Sequence, residues 1–188
     1  MEHASSAETS IPGLVILHSW LSANAQKLQP PVNNQCLYFG KDFILMAVGG
    51  PNTRNDYHSG KVNQTEEWFY QIKGDMLLKI VENGTCFRDI VIREGEMFLL
   101  PGDIPHCPIR YKETIGLVME RTRPPHVVDR IRWYCPNADA HQTAPSIIRE
   151  ESFHCADIET QLKDLINHWM TDESTRKCGD CGEIAPPH

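Results

Sequence analysis

Positive charge is in deficit in this 188-residue chain: 18 Lys and Arg stand against 25 Asp and Glu, a formal net charge of −7. That balance argues against a general nucleic-acid or anionic-membrane binder, because both partners select a basic surface. No apolar run reaches the ~20 residues that a bilayer-spanning helix needs, so no membrane partner is expected. The first ten residues, MEHASSAETS, carry neither the basic start of a secretory leader nor the arginines of a transit peptide. The expectation is a soluble, cytoplasmic protein. Cysteine is present in an odd number, seven, which excludes a fully paired disulfide framework. Internal repeats and long low-complexity tracts are also missing.

What is present is the pattern of a mainly β domain of ordinary size, long enough to bury a real core. Residues 1–10 are small and polar, and the N-terminus is expected to be disordered over them and as far as residue 12. Apolar residues at Leu14, Leu17, Leu21 and Leu28 recur at helical spacing and predict a helix over 14–27, stopped by Pro30-Pro31. Short apolar runs follow at 35–39, 43–48, 67–72, 75–81, 88–92, 97–100 and 115–120. They are separated by turn signals such as Lys73-Gly74-Asp75 and Glu82-Asn83-Gly84. Many short strands at this spacing make an antiparallel sandwich or barrel, assigned to 13–125 with its flanking helix. Beyond Arg123-Pro124-Pro125 the composition changes, and 126–188 reads as a C-terminal extension. It holds a basic-aromatic segment 129–134, an extended stretch 146–154, and a helix capped by Asp157 with Ile158, Leu162, Leu165, Ile166 and Trp169 on one stripe. A C-x-x-C at Cys178 and Cys181 follows, which in a reducing compartment reads as half of a metal knuckle.

The chemistry concentrates between Arg54 and Arg110. His58, Glu67 and His106 supply two imidazoles and one carboxylate, the donor set of a non-haem iron(II) site with open neighbouring positions. Side chains two apart on a strand share a face, so Arg54, Asp56 and His58 point one way if that segment is extended. His106, Pro108 and Arg110 likewise share a face, Cys107 points elsewhere, and Glu120 projects with Val118 and Gly116. A barrel interior can thus receive three ligands together with Arg54, Arg110 and Glu120, a cationic pocket around a metal that suits a small carboxylic acid. Taken singly, each residue also has a plainer reading as a structural or surface group. Cys107 lacks a helix N-terminus or partner base and reads as an inert thiol.

The frames around these residues add weight. Glu67 followed by six residues and Gly74 resembles the end of the first cupin motif, and Gly95, Pro101 and His106 resemble the second. The usual H-x-H is reduced to His58, and Arg110 stands where the second motif has Asn. GGPNTRNDYH, EEWFYQIKG, FLLPGDIPHCPIR, VMERTRPP and RWYC together resemble the 3-hydroxyanthranilate 3,4-dioxygenase family, from about PPVNN to the C-terminal C-x-x-C. The resemblance implies a cupin (jelly-roll) barrel and Fe(II) held by His58, Glu67 and His106. It also implies opening of the 3-hydroxyanthranilate ring by O2 to 2-amino-3-carboxymuconate semialdehyde, on the route to quinolinate and NAD. Arg54, Arg110 and Glu120 match substrate-binding and catalytic positions: Arg110 for the carboxylate, Glu120 for the amino group or its protons, Arg54 for developing negative charge. Asn34 is a further substrate-side match, and related microbial enzymes imply a homodimer.

This chain departs from the family in two places. The spacer between His58 and Glu67 is longer than usual and is expected to be a loop. Many microbial relatives carry a distant four-cysteine metal site built from two C-x-x-C pairs, whereas the first pair here reads Cys135-Pro-Asn-Ala138. A second, structural metal (iron or zinc) on Cys135, Cys178 and Cys181 needs a fourth ligand, for which Cys155 is the first choice and His141 and His154 are alternatives; a degenerate site without metal is the other reading. Two rival functions share the fold: another metal-dependent cupin, such as a thiol dioxygenase or sugar-acid isomerase, and a non-catalytic ligand-binding cupin.

Overall fold

A computed structural model describes residues 11–30, 33–52, 54–59, 65–122, 129–153 and 158–188. The predicted disorder of 1–10, the longer spacer at 60–64, and Asp157, Cys155 and His154 lie outside the described residues. Helix α1 (Leu17–Ala23) and a 3-10 turn (Ala25–Leu28) precede strands β1 (Asn34–Phe39), β2 (Phe43–Gly49), β3 (Tyr57–Ser59), β4 (Glu67–Lys73) and β5 (Met76–Glu82). Then come β6 (Cys86–Ile92), β7 (Met97–Leu100), β8 (His106–Arg110), β9 (Ile115–Arg121), β10 (Asp129–Tyr134), β11 (Ile147–Phe153) and helix α2 (Ile158–Thr171). The predicted first helix is shorter than its periodicity: Ile16 precedes it without a side-chain cap, and Leu14 is fully exposed.

The strands form two sheets, β1-β2-β9-β4-β7 and β11-β10-β3-β8-β5-β6, a mainly β two-layered sandwich as expected from the sequence. Their facing sides alternate strictly. On β4 and β9, Glu67, Phe69 and Gln71 stand opposite Glu120, Val118 and Gly116. On β5 and β8, Ile80, Leu78 and Met76 stand opposite His106, Pro108 and Arg110. The interior is therefore layered: an acidic and imidazole level at one end, an apolar level of Phe69, Leu78 and Val118, and a polar level at Gln71 and Arg110. The apolar residues join Met76, Ile80, Ile92 and Leu100 in the central cluster. Each such side chain contributes about 1.5–3 kcal/mol on burial.

Asn83 and Gly84 take positive φ, as a tight hairpin between β5 and β6 requires. Residues 129–153, within the expected extension, continue the second sheet: β10 pairs with β3, and β11 with β10. The reason is visible in β10, where Ile131 and Trp133 alternate with Arg130 and Arg132, whose guanidiniums pair with Glu150 on β11. Trp133 stacks on Trp169 of α2 at 4.8 Å between centroids, and Ala185 of the tail joins the same cluster. Among the described residues no helix is long and apolar enough to cross a membrane.

Candidate active site

His58 and His106 are register partners on β3 and β8, and their rings stack with centroids 6.0 Å apart. Glu67 opens β4 in the facing sheet, and its Oε2 lies 2.7 Å from His106 Nε2. The three residues thus converge from two sheets on one level of the interior. His106 Nδ1 lies 3.1 Å from the carbonyl of Ile104, a contact that favours the proton on Nδ1 and, in the neutral ring, leaves the Nε2 lone pair facing the Glu67 side. Burial opposes a charge on His106, but the Glu67 carboxylate outweighs it and raises the pKa. For His58, burial and then the Arg54 guanidinium push the pKa down to about 3, so the ring is the neutral form that ligates metals.

Arg54 and Asp56 share the face of His58, as strand alternation predicts. Arg54 Nε donates to Asp56 Oδ1 at 3.0 Å, and Nη2 contacts both Asp56 Oδ2 and His58 Nε2. Burial works against the Asp56 carboxylate, yet the guanidinium beside it holds its pKa below the ordinary value. The guanidinium therefore rests on the nitrogen a metal needs, and coordination through His58 Nε2 requires that contact to open. Glu120 is buried directly across from Glu67. Carboxylates opposed in this way repel each other, and a bound cation relieves that repulsion. Two imidazoles and a carboxylate at one level, with a second acid behind them, fit a divalent metal in donor chemistry.

Arg110 lies on the face of His106 but two pleats further in, at the level of Gln71. It is 2% exposed, and burial lowers its pKa to about 10. Among the described residues its guanidinium has one hydrogen-bond partner, Gln71 Oε1 at 2.9 Å, and no carboxylate within ion-pair distance. Its strand is pinned to the loop carrying Arg54 by Asn52, which accepts from Arg110 N at 2.6 Å and donates to Pro108 O at 2.9 Å. Sequence reasoning missed Asn52 and Gln71. The signal for Gln71 was its parity with Glu67 and Phe69 on one strand; for Asn52, in an irregular loop, there was none. Asn34 begins the edge strand β1 opposite Val48, two strands away from Glu120. Cys107 points to the other side of its sheet, among Tyr57 and Val81, and burial raises its thiol to about 12. Both features suit the reading of an unreactive thiol.

A second cluster lies at the end of β10. The ligand atoms of Cys135, His141, Cys178 and Cys181 all fall within 4.8 Å of one another. Cys135 Sγ is 3.6 Å from Cys181 Sγ, and Cys178 Sγ is 3.6 Å from His141 Nε2. With zinc–sulfur bonds of about 2.3 Å, the edge of a tetrahedral site is about 3.8 Å, so the spacing fits. Cys178 and Cys181 flank a tight knuckle in which Cys178 N donates to Glu183 O at 2.7 Å and Gly182 N to Cys178 O at 3.0 Å. Burial alone would raise the Cys178 thiol, but the N–H groups of Cys181 and Asp180 and the Ser146 hydroxyl lower it to about 6. After Cys135 the chain turns through a short 3-10 helix, Ala138–Ala140, capped by Asn137, and brings in His141. Among the described residues the fourth group is thus His141, the alternative to Cys155.

The comparisons with known proteins bear on the family of the chain. A family profile described as 3-hydroxyanthranilic acid dioxygenase matches residues 11–170. A "3-hydroxyanthranilate 3,4-dioxygenase 2" from Aspergillus oryzae is 64% identical over 172 residues, covering 90% of this chain and 95% of that protein. One from Aspergillus fumigatus is 60% identical over 183 residues, covering 90% and 94%. A "3-hydroxyanthranilate 3,4-dioxygenase" from Pyricularia oryzae is 54% identical over 171 residues, covering 91% and 89%. Among solved structures, a cupin-2 domain containing protein from Shewanella frigidimarina aligns with a TM-score of 0.39 at 17% identity, over 47% of this chain and 79% of that one. By profile match and by identity over nearly its whole length, the chain belongs to the 3-hydroxyanthranilic acid dioxygenase family.

Proposed function

We propose that this protein opens the ring of 3-hydroxyanthranilate with O2, giving 2-amino-3-carboxymuconate semialdehyde for quinolinate and NAD synthesis. Family membership supports the reaction, and one observation in the chain itself carries it: a buried arginine whose single partner among the described residues is neutral, on the same interior face as His106. A buried cation of this kind costs stability unless an anion meets it, so the site calls for a carboxylate from outside. His58, Glu67 and His106 would hold iron(II), which when bound supplies neighbouring open positions where an aminophenol and O2 can meet.

The chain's own residues do the rest. Arg110 clamps the substrate carboxylate, bidentately where its fork allows. Phe69, Leu78 and Val118 form the apolar wall between the two polar levels and exclude water from the ring. Glu120, across from Glu67, orients the substrate amino group and takes up its proton. Arg54, aimed by Asp56, stabilises negative charge as it develops. Asn34, in register with Val48 and through it with Gly116, belongs to this reading as a further substrate-side residue. A homodimer and a cytoplasmic setting complete it; the six described cysteines that are free thiols support a reducing compartment.

Cys135, His141, Cys178 and Cys181 would hold a second metal with a structural role, because four protein donors leave no open position. Three thiolates and one imidazole suit zinc. For the main reading the test is anaerobic loading with iron(II), addition of 3-hydroxyanthranilate, then air. The semialdehyde chromophore is expected; iron-loaded protein that consumes no O2 with this substrate would refute the assignment.

A further inference from the structure

The inner polar level of the barrel is built with more care than a salt-free core requires. Gln71 is fully buried, accepts from Arg110 Nη1 through Oε1 at 2.9 Å and donates through Nε2 to Gly74 O at 2.8 Å. The second bond orients the amide: with Nε2 committed to a carbonyl, Oε1 faces the guanidinium. That carbonyl belongs to the β4–β5 turn, where Gly74 takes φ +66°. On the facing strand a Cβ at Gly116 would stand 2.3 Å from Gln71 Oε1, 2.8 Å from Arg110 Nη1 and 2.9 Å from the Tyr70 carbonyl. The seat exists because residue 116 has no side chain. Its chemistry is also selective. A glutamate at 71 would form an internal ion pair and satisfy the charge of Arg110 within the protein. The neutral amide fixes one N–H and leaves the charge and the remaining donors for a ligand.

We propose that Gln71, seated by Gly116, is a positioning and specificity-determining residue: it aims the guanidinium of Arg110 at the carboxylate of the aromatic substrate and so sets the preference for a carboxylated aminophenol over the bare one. This rests on the reading of Arg110 as the carboxylate clamp. The test is titration, without O2, of the iron(II)-loaded full chain with 3-hydroxyanthranilate and with 2-aminophenol, followed by turnover. Gln71→Met is expected to weaken the acid about tenfold, as for one misaimed charge-assisted contact, and to leave 2-aminophenol within about twofold. In turnover KM for the acid rises while kcat holds. Gln71→Glu loses more on the acid, and Gln71→Met adds nothing further once Arg110→Ala is present. Equal losses on both ligands in Gln71→Met, or an unchanged ratio at full iron content, overturn the proposal. An unchanged ratio in Arg110→Ala overturns the clamp reading and the seat with it; a ratio that changes there but not in the Gln71 variants overturns the seat alone. Should Gln71→Met fail to fold, Gly116→Ala perturbs the same pair from the facing strand, and a wild-type ratio in that variant is equally fatal.

Discussion

If Cys135, His141, Cys178 and Cys181 hold a metal as proposed, its removal should unpin the C-terminal tail without touching ring cleavage. The tail beyond α2 is short and is fastened at few places. Lys177 and Ile184 form an isolated bridge, Ala185 packs under Trp133 and Trp169, and Asn55 Nδ2 donates to Pro186 O at 2.8 Å. A metal bound by this cluster would tie the tail to the end of β10, so its binding energy would be stability of the folded chain. A ligand present at a thousand times its dissociation constant stabilises by about 4 kcal/mol. For a chain of this size 1 kcal/mol corresponds to about 2–4 °C in Tm, so Cys178→Ser is expected to lower Tm by about 8–16 °C. Elemental analysis separates the two centres when done in a His106→Ala background, where the one metal left per chain is the cysteine-bound one. His141→Cys should keep that metal, Cys178→Ser should lose it, and Cys155→Ser should keep it because His141 supplies the fourth donor. Wild-type protein with a single metal per chain would refute the filled centre. A Cys178→Ser protein that folds and holds iron but turns over nothing would refute its structural role.

Other expectations follow from the barrel interior. Glu67→Ala or His106→Ala should abolish tight iron binding while leaving far-UV circular dichroism unchanged; full iron occupancy with normal activity in both would contradict the ligand assignment. Asp56→Ala leaves the Arg54 charge without its partner and should cost about 3 kcal/mol in urea unfolding, in line with a broken buried pair. Because the folded-state pKa of Asp56 is depressed, its contribution is present above the ordinary carboxylate range and is lost as pH falls through the folded value, so wild type and Asp56→Ala should converge in stability at low pH. Glu120→Gln should keep iron and lower kcat more than it raises KM, since the residue is assigned to proton handling; a change confined to KM would reassign it to binding.

How much of this was legible beforehand follows from the physics of a strand. Alternation has period two, so parity alone said that Arg54, Asp56 and His58 share a face, that Arg110 shares one with His106, and that Cys107 does not. The relations of His106, Cys107 and Arg110 hold because β8 is regular over 106–110; Arg54 and Asp56 precede β3, and their side-chain contacts bring them to His58. Parity says nothing about depth, and the layering of Glu67, Phe69 and Gln71 against Glu120, Val118 and Gly116 emerged only from the cross-strand register. Nor does it say which rotamer a long side chain takes: that Arg54 leans on His58 Nε2 is set by the competing pull of Asp56.

The fourth ligand of the second cluster shows the same limit in a loop. Cys155 looked favourable because it shares the sulfur chemistry of Cys135 and lies between two regular elements. His141 reaches the site because Pro136 and Asn137 turn the chain immediately after β10, with Ala140 N donating to Asn137 Oδ1 at 3.1 Å and His141 N to Ala138 O at 3.1 Å. A residue six positions from Cys135 is thereby folded back to its side. Local turn chemistry brings His141 in among the described residues, and an imidazole in place of a fourth thiolate would change the net charge of a metal centre there by one unit. With three thiolates a divalent ion leaves a single negative charge in a region that also holds Asp180, hydrogen-bonded to Ser146 Oγ at 2.6 Å. A four-thiolate centre would place two negative charges there beside the same aspartate, so the histidine is the donor that this acidic neighbourhood tolerates better.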